Sequence, residues 1–228
     1  MGKNDNGNNG RTELVFVVDR SGSMGGLESD TIGGFNSMLS KQRTIAGECR
    51  VTTLLFDHRI ETLHNHLDIR EVNDLTSRDY WVRGSTALLD AIGLAIDRMI
   101  VTQRHTAAAY RVQHVLFVII TDGYENASRR YSLHQIKQMI TYERERYHWE
   151  FVFLGANIDA EQTAGDFGIS PRCATDFHAD GQGIKASFEA VACAATAVRG
   201  GADLDDLSAP DFLGGVRDDY RSRRRMKR

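Results

Sequence analysis

Two short, almost unbroken apolar runs constrain this chain more than any other feature: Glu13 to Val18 (ELVFVV) and Val115 to Thr121 (VLFVIIT). A run of this length with no polar alternation is the pattern of a strand covered on both faces, which is how strands of a parallel sheet are buried. Around them the sequence alternates strand-like and helix-like stretches. Ile32, Phe35, Met38, Leu39 and Ile45 recur at helical spacing within residues 28–46, and Leu88, Leu89, Ile92, Ala95, Ile96, Met99 and Ile100 do so after Thr86. Arg50 to Phe56 and Ile60 to Leu67 read as two strands joined by a turn at Asp57 to Arg59, a hairpin at one sheet edge. Helices are expected at 132–147, at 159–167 with Gly168 as stop, and finally at 184–198 before Gly200 and Gly201; strands are expected at 151–154 and weakly at 174–177. The expected fold is α/β: a doubly wound, Rossmann-like, mainly parallel sheet with one antiparallel edge strand and helices on both faces.

At 228 residues, one core is the default. The division expected is a flexible Asn/Gly-rich leader over 1–12, one domain over 13–200 and a C-terminal extension over 201–228, with disorder confined to the two ends. Residues 68–85 are polar and aperiodic and read as a long loop. With 41% hydrophobic and 26% charged residues the chain is neither disordered nor fibrous. No apolar stretch near the start suits a secretory signal, Asn6 stands where myristoylation needs Ser or Thr, and no run reaches the roughly 20 residues that span a bilayer. Cys49, Cys173 and Cys193 are odd in number and far apart, so neither a disulfide framework nor a zinc site is expected, and all three read as core filler. A cytoplasmic protein is the expectation, with no membrane partner.

The last eight residues, Arg221 to Arg228, carry six positive charges and no negative one, so a net charge of −3 becomes −9 without them. Such a tail reads as a solvated terminus, or as an arm for nucleic acid, an acidic partner or the protein's own body. The acidic remainder and the lack of interleaved aromatics set nucleic acid aside except through this tail.

In an open α/β sheet, ligands bind just beyond the carboxyl ends of the strands. Three segments lie there: Asp19-Arg20-Ser21-Gly22-Ser23-Met24 after the first run, Gly84-Ser85-Thr86 before a helix, and Thr121-Asp122-Gly123 after the second run. The first spaces a carboxylate and two hydroxyls at i, i+2 and i+4, with Gly22 allowing a tight turn between them. Oxygen donors without a nearby His or thiolate suit Mg²⁺ or Mn²⁺, and Thr86 and Asp122 can complete most of the shell. Taken singly, Asp19 and Ser21 also read as helix caps and Asp122-Gly123 as a turn.

D-x-S-x-S after a buried strand, G-x-T before a helix and T-D-G after a second buried strand, in this order, resemble the metal-ion-dependent adhesion site (MIDAS) of von Willebrand factor A domains, intracellular bacterial members in particular. The resemblance covers residues 13–200. It implies that Asp19, Ser21, Ser23 and Thr86 ligate a metal, with Asp122 binding directly or through a water. It implies further a scaffolding or regulatory module that is not an enzyme and that binds an Asp or Glu of another protein; the oligomeric state stays open. A metal-dependent hydrolase or phosphotransferase is the rival reading. Against it, Ser21 stands where a phosphotransferase has its second acid, no nucleophile elbow or P-loop occurs, and no His lies in the three loops. Tyr124, Glu125 and Asn126 read equally as cleft rim or plain loop, Asp57 as a turn residue, and His64 and His66 as solvent-facing residues of an edge strand.

Overall fold

The computed structural model describes residues 10–226; the greater part of the expected leader and the last two tail residues lie outside them. Six strands form one sheet: β1 (Thr12–Asp19), β2 (Cys49–Phe56), β3 (Ile60–Asp68), β4 (His114–Thr121), β5 (Glu150–Gly155) and β6 (Ala174–Asp176). Their order is β3-β2-β1-β4-β5-β6, parallel throughout except for the antiparallel edge strand β3. Every residue of β1 is buried, and β4 is buried from Val115 onward. Each large aliphatic or aromatic side chain so placed contributes about 1.5–3 kcal/mol relative to exposure.

The helices are α1 (Glu28–Arg43), α2 (Leu88–His105), α3 (Leu133–Tyr147), α4 (Ala160–Asp166), α5 (Gly181–Arg199) and α6 (Gly214–Met226). α1 packs against α5 over one face of the sheet, and α2 packs against α3 over the other. α1 ends at Arg43, short of Ile45, and its last carbonyls are capped across the interface: the buried Arg199 donates to Gln42 O, Ile45 O and Gly47 O. No helix among the described residues is long and apolar enough to cross a membrane.

Three sequence expectations meet a different outcome, while the long loop before α2 is found as expected. The helix at 181–199 is not the last one, since the C-terminal extension carries α6, seated by the buried Leu213 and Val216. Its arginines turn to the protein's own body: Arg217 donates to Pro171 O, Arg172 O and Ala174 O, and Arg223 pairs with Asp180 and Asp219. The long loop before α2 is polar on average, yet it anchors Ile69, Val72, Leu75 and Tyr80 in the core. Asn36 and Arg43 of α1 hold its backbone through Leu75, Ile69 and Val72. His64 is buried rather than solvent-facing, bonded to Thr53 Oγ1 at 3.0 Å, and burial lowers its pKa. His66 sits at a break in register with φ of 55° and meets the buried Glu13 at 2.5 Å. Of the cysteines, Cys49 and Cys173 are buried as expected, but Cys193 is exposed.

Two predictions arise from this packing. A Cβ on Gly34 would stand 2.3 Å from the Phe188 ring, whereas one on Gly33 meets nothing within 4 Å. Denaturant unfolding should therefore show Gly34→Leu less stable by about 1–3 kcal/mol through overpacking, and Gly33→Ala more stable by up to about 1 kcal/mol through helix propensity. Burial, reinforced by Asp203 and Asp205, pushes the Glu150 carboxyl from 4.5 up to about 7. Folding thus favours its protonated form, and ionising it costs stability that grows as pH rises from 4.5 to about 7 and is constant above. Unfolding measured at pH 5 and pH 8 should show Glu150→Gln gaining on the parent protein at the higher pH; an equal difference at both would contradict this.

Candidate metal centre

The strand order places the site. β1 connects outward to β2 on one side, while its neighbour β4 leads outward to β5 on the other, so the chain reverses direction between β1 and β4 and leaves a crevice at their carboxyl ends. Asp19 is the last residue of β1, and Thr121 is the last of β4.

From this crevice the oxygens can be followed in sequence. Asp19, 0% exposed, accepts from Ser21 N on Oδ1 at 2.6 Å and from Thr121 Oγ1 on Oδ2 at 2.7 Å. Ser21 Oγ and Ser23 Oγ are 3.0 Å apart, and Ser23 Oγ donates to Asp122 Oδ1 at 2.5 Å. A Cβ on Gly123 would stand 3.4 Å from Ser23 Oγ and 3.6 Å from Thr86 Oγ1, so both hydroxyls face the same small space, kept open by the glycine. The structure thus brings Asp19, Ser21, Ser23, Thr86 and Asp122 together. Ser23 is exposed at the mouth and the other four are buried. The capping alternative for Ser21 fails, because its side chain makes no cap bond to the short 3₁₀ turn at Gly22–Met24.

The loops are fastened to one another. Gly22 N donates to Gly84 O, Arg83 N to Arg20 O, and the Tyr80 hydroxyl to Asp19 O. Asn126 brackets Thr86, accepting from its N–H and donating to its carbonyl. Glu125 caps the start of α2 at Leu89 N and its own loop at Ala127 N and Ser128 N. These two residues fix the loop on which the site depends, while Tyr124 stands 61% exposed at the rim.

The electrostatics are those of a place waiting for positive charge. Burial pushes the Asp19 carboxyl up to about 6, against the lowering effect of its hydrogen bonds from Thr121 and Ser21, and burial raises Asp122 as well. Asp122 Oδ2 is buried with no hydrogen-bond partner. Among the described residues no Arg, Lys or His makes an ion pair with either carboxylate. Two buried carboxylates, one of them with an orphaned oxygen, and three hydroxyls fit a hard divalent cation. No group of three or more His, Cys, Asp or Glu among the described residues could hold a metal, as expected where most of the donors are hydroxyls.

Sequence reasoning missed the charged frame beside the site. Asp57 is no simple turn residue: fully buried at the end of β2, it pairs with Arg20 at 3.2 Å and Arg83 at 2.7 Å and accepts from Arg59 N. Arg20, itself buried, also reaches Glu61 at 2.8 Å, and both arginines lie over the Trp81 ring. His58, 3.0 Å from Asp57, lies so close to Gly84 that a Cβ there would stand 2.1 Å from its ring, and the φ of 69° at Gly84 itself favours glycine. The readable signal was the arginine inside D-x-S-x-S, which needs a buried counter-charge when the motif is packed.

No protein-family model and no curated protein matches the sequence. Solved structures do. Proximal thread matrix protein 1 from the mussel byssus, in the form with a zinc-occupied MIDAS motif, aligns with a TM-score of 0.55 at 14% identity, over 80% of this chain and 45% of that one. The chain therefore spans less than half the length of that protein. The manganese-loaded TRAP protein of Plasmodium vivax aligns with a TM-score of 0.51 at 15% identity, over 78% and 72%. A mutant of the PilB minor pilin from Streptococcus sanguinis aligns with a TM-score of 0.53 at 12% identity, over 88% and 64%. At such identities the likeness is one of fold, and together with the strand order and the crevice it shows that this chain has the von Willebrand factor A fold.

Proposed function

We propose that the crevice holds one divalent cation, Mg²⁺ or Mn²⁺, on Asp19, Ser21, Ser23, Thr86 and Asp122, and that the protein uses it to bind an Asp or Glu side chain of another protein. The observation that carries this reading is the buried, unpartnered Asp122 Oδ2 beside a second buried carboxylate with no countercharge. Bound there, such an ion supplies positive charge and about six oxygen positions, one of them for an incoming carboxylate.

The chain's own groups set the terms. Asp19 is oriented by Ser21 N and Thr121 Oγ1, so its oxygens are fixed before any ligand arrives. Ser21, Ser23 and Thr86 add donors without charge, which leaves the site near +1 when Asp19 is the one carboxylate in contact and Asp122 acts through a water. An acid from a partner balances that excess; direct contact by Asp122 would cancel it. Neighbours with a zinc-occupied MIDAS and a manganese load support a divalent ion, and their names, a thread matrix protein and a pilin among them, support binding rather than catalysis. In this reading the protein is a cytoplasmic scaffolding or regulatory module.

Calorimetric titration with Mg²⁺ or Mn²⁺ should show one site, and Asp19→Ala should abolish the heat; unchanged binding would place the ion elsewhere. At about a hundredfold excess over Kd the ion should add about 2.7 kcal/mol of stability, and chelator should remove it. Partner capture should be lost with chelator, whereas a capture that resists chelator and fails in high salt would assign it to the arginines of α6.

A further inference from the structure

The charged corner beside the crevice is only partly used by the protein's own contacts. Asp57 accepts from both Arg20 and Arg83, yet the two guanidiniums end differently. Arg20 is buried, spends Nε on Asp57 at 3.2 Å and Nη2 on Glu61 at 2.8 Å, and keeps Nη1 inside without a partner. Arg83 reaches Asp57 through Nε alone, at 2.7 Å. Its side chain is 31% exposed, and among the described residues neither of its terminal nitrogens makes a hydrogen bond or an ion pair. The forked end of that guanidinium is left over.

The fork is also held still. Its Cζ lies 4.2 Å from the centre of the Trp81 ring, and Arg83 N donates to Arg20 O at 2.9 Å. A guanidinium stacked on an aromatic face presents its edge to a carboxylate and has little rotamer freedom left to lose. Arg59, in the turn that Asp57 opens, is exposed and makes no ion pair among the described residues, so three guanidiniums stand here against two carboxylates. Arg83 precedes Thr86 by three residues, which keeps their backbones within about 11 Å of each other. In an extended segment residues i and i+2 project from one face roughly 7 Å apart, which falls inside that limit. A single acid on the metal would leave the fork idle; a second acid two residues along would occupy it.

On the reading that the crevice takes a partner's acid through a divalent ion, we propose that the partner presents two acids, two residues apart in an extended segment. One completes the metal's coordination and the other takes the Arg83 fork. Arg83 is then the residue that selects a paired acid over a lone one.

The test uses the full chain labelled with ¹⁵N, saturating Mg²⁺ and three acetylated, amidated pentapeptides: Gly-Asp-Gly-Asp-Gly and the two versions in which one Asp is replaced by Asn. The indole N–H of Trp81 reports the fork, and that of Trp149, just before β5 at the other end of the sheet, serves as control. The two-acid peptide should shift the Trp81 signal saturably with a Kd of about 1 mM or below, and each one-acid peptide should bind about tenfold more weakly. Arg83→Gln should bring the two-acid peptide down to the one-acid level while leaving one-acid binding and the calorimetric Mg²⁺ affinity unchanged. Equal binding of the three peptides, selectivity that survives Arg83→Gln, or a parallel loss of Mg²⁺ affinity in that variant, which would make Arg83 a fastener of the loop only, would overturn the proposal and leave the metal reading standing. Two-acid binding that persists in chelator or in Asp19→Ala, or no binding of any peptide with Mg²⁺ present, would overturn the metal reading and the paired acid with it.

Discussion

The parallel pairing of β1 with β4 is the constraint on which the rest depends. Because the two strands run side by side and hand the chain off in opposite directions, their ends cannot be covered by a crossover, and the residues following them meet in the open. In-register pairing from Thr12 with His114 to Val18 with Ile120 brings Asp19 and Thr121 level, so a hydroxyl from one strand end steadies a carboxylate from the other. An antiparallel pairing would send one of these ends to the far side of the sheet.

Holding two buried acids beside each other costs stability, and the surrounding loops show how the cost is borne. Hydrogen bonds from Gly22 N to Gly84 O, between Asn126 and Thr86, and from Leu89 N at the start of α2 to the Glu125 carboxylate tie three segments distant in sequence into one frame. The frame holds hydroxyls close to the carboxylates, which keeps the donors neutral and leaves the charge of the crevice to be set by what enters it. For the cation site proposed above, such a frame would leave little ordering to be done on binding.

Much of this was legible in the sequence because burial leaves a pattern. The runs ELVFVV and VLFVIIT are apolar on both faces and could only be central strands, and the three motif segments follow directly from where those strands end. What escaped was held by polar atoms. α6 buries little beyond Val216, with Leu213 just before it, and is fastened by Arg217 and Arg223, so it carries no apolar stripe to read. His64 faces the core because the β2–β3 register breaks next to it, and alternation cannot foresee a bulge. Asp57 looked like a turn residue because its partners, Arg20 and Arg83, lie 37 and 26 residues away.

Arg20 is the immediate neighbour of Asp19, and a guanidinium swung into the crevice would neutralise it from within. Instead Asp57, at the tip of the adjoining strand, and Glu61, on the strand beyond, pair with that guanidinium. The outer hairpin of the sheet thus behaves as a tether on the protein's own surrogate cation. The charge balance beside Asp19 is set in part by side chains outside the five that line the crevice.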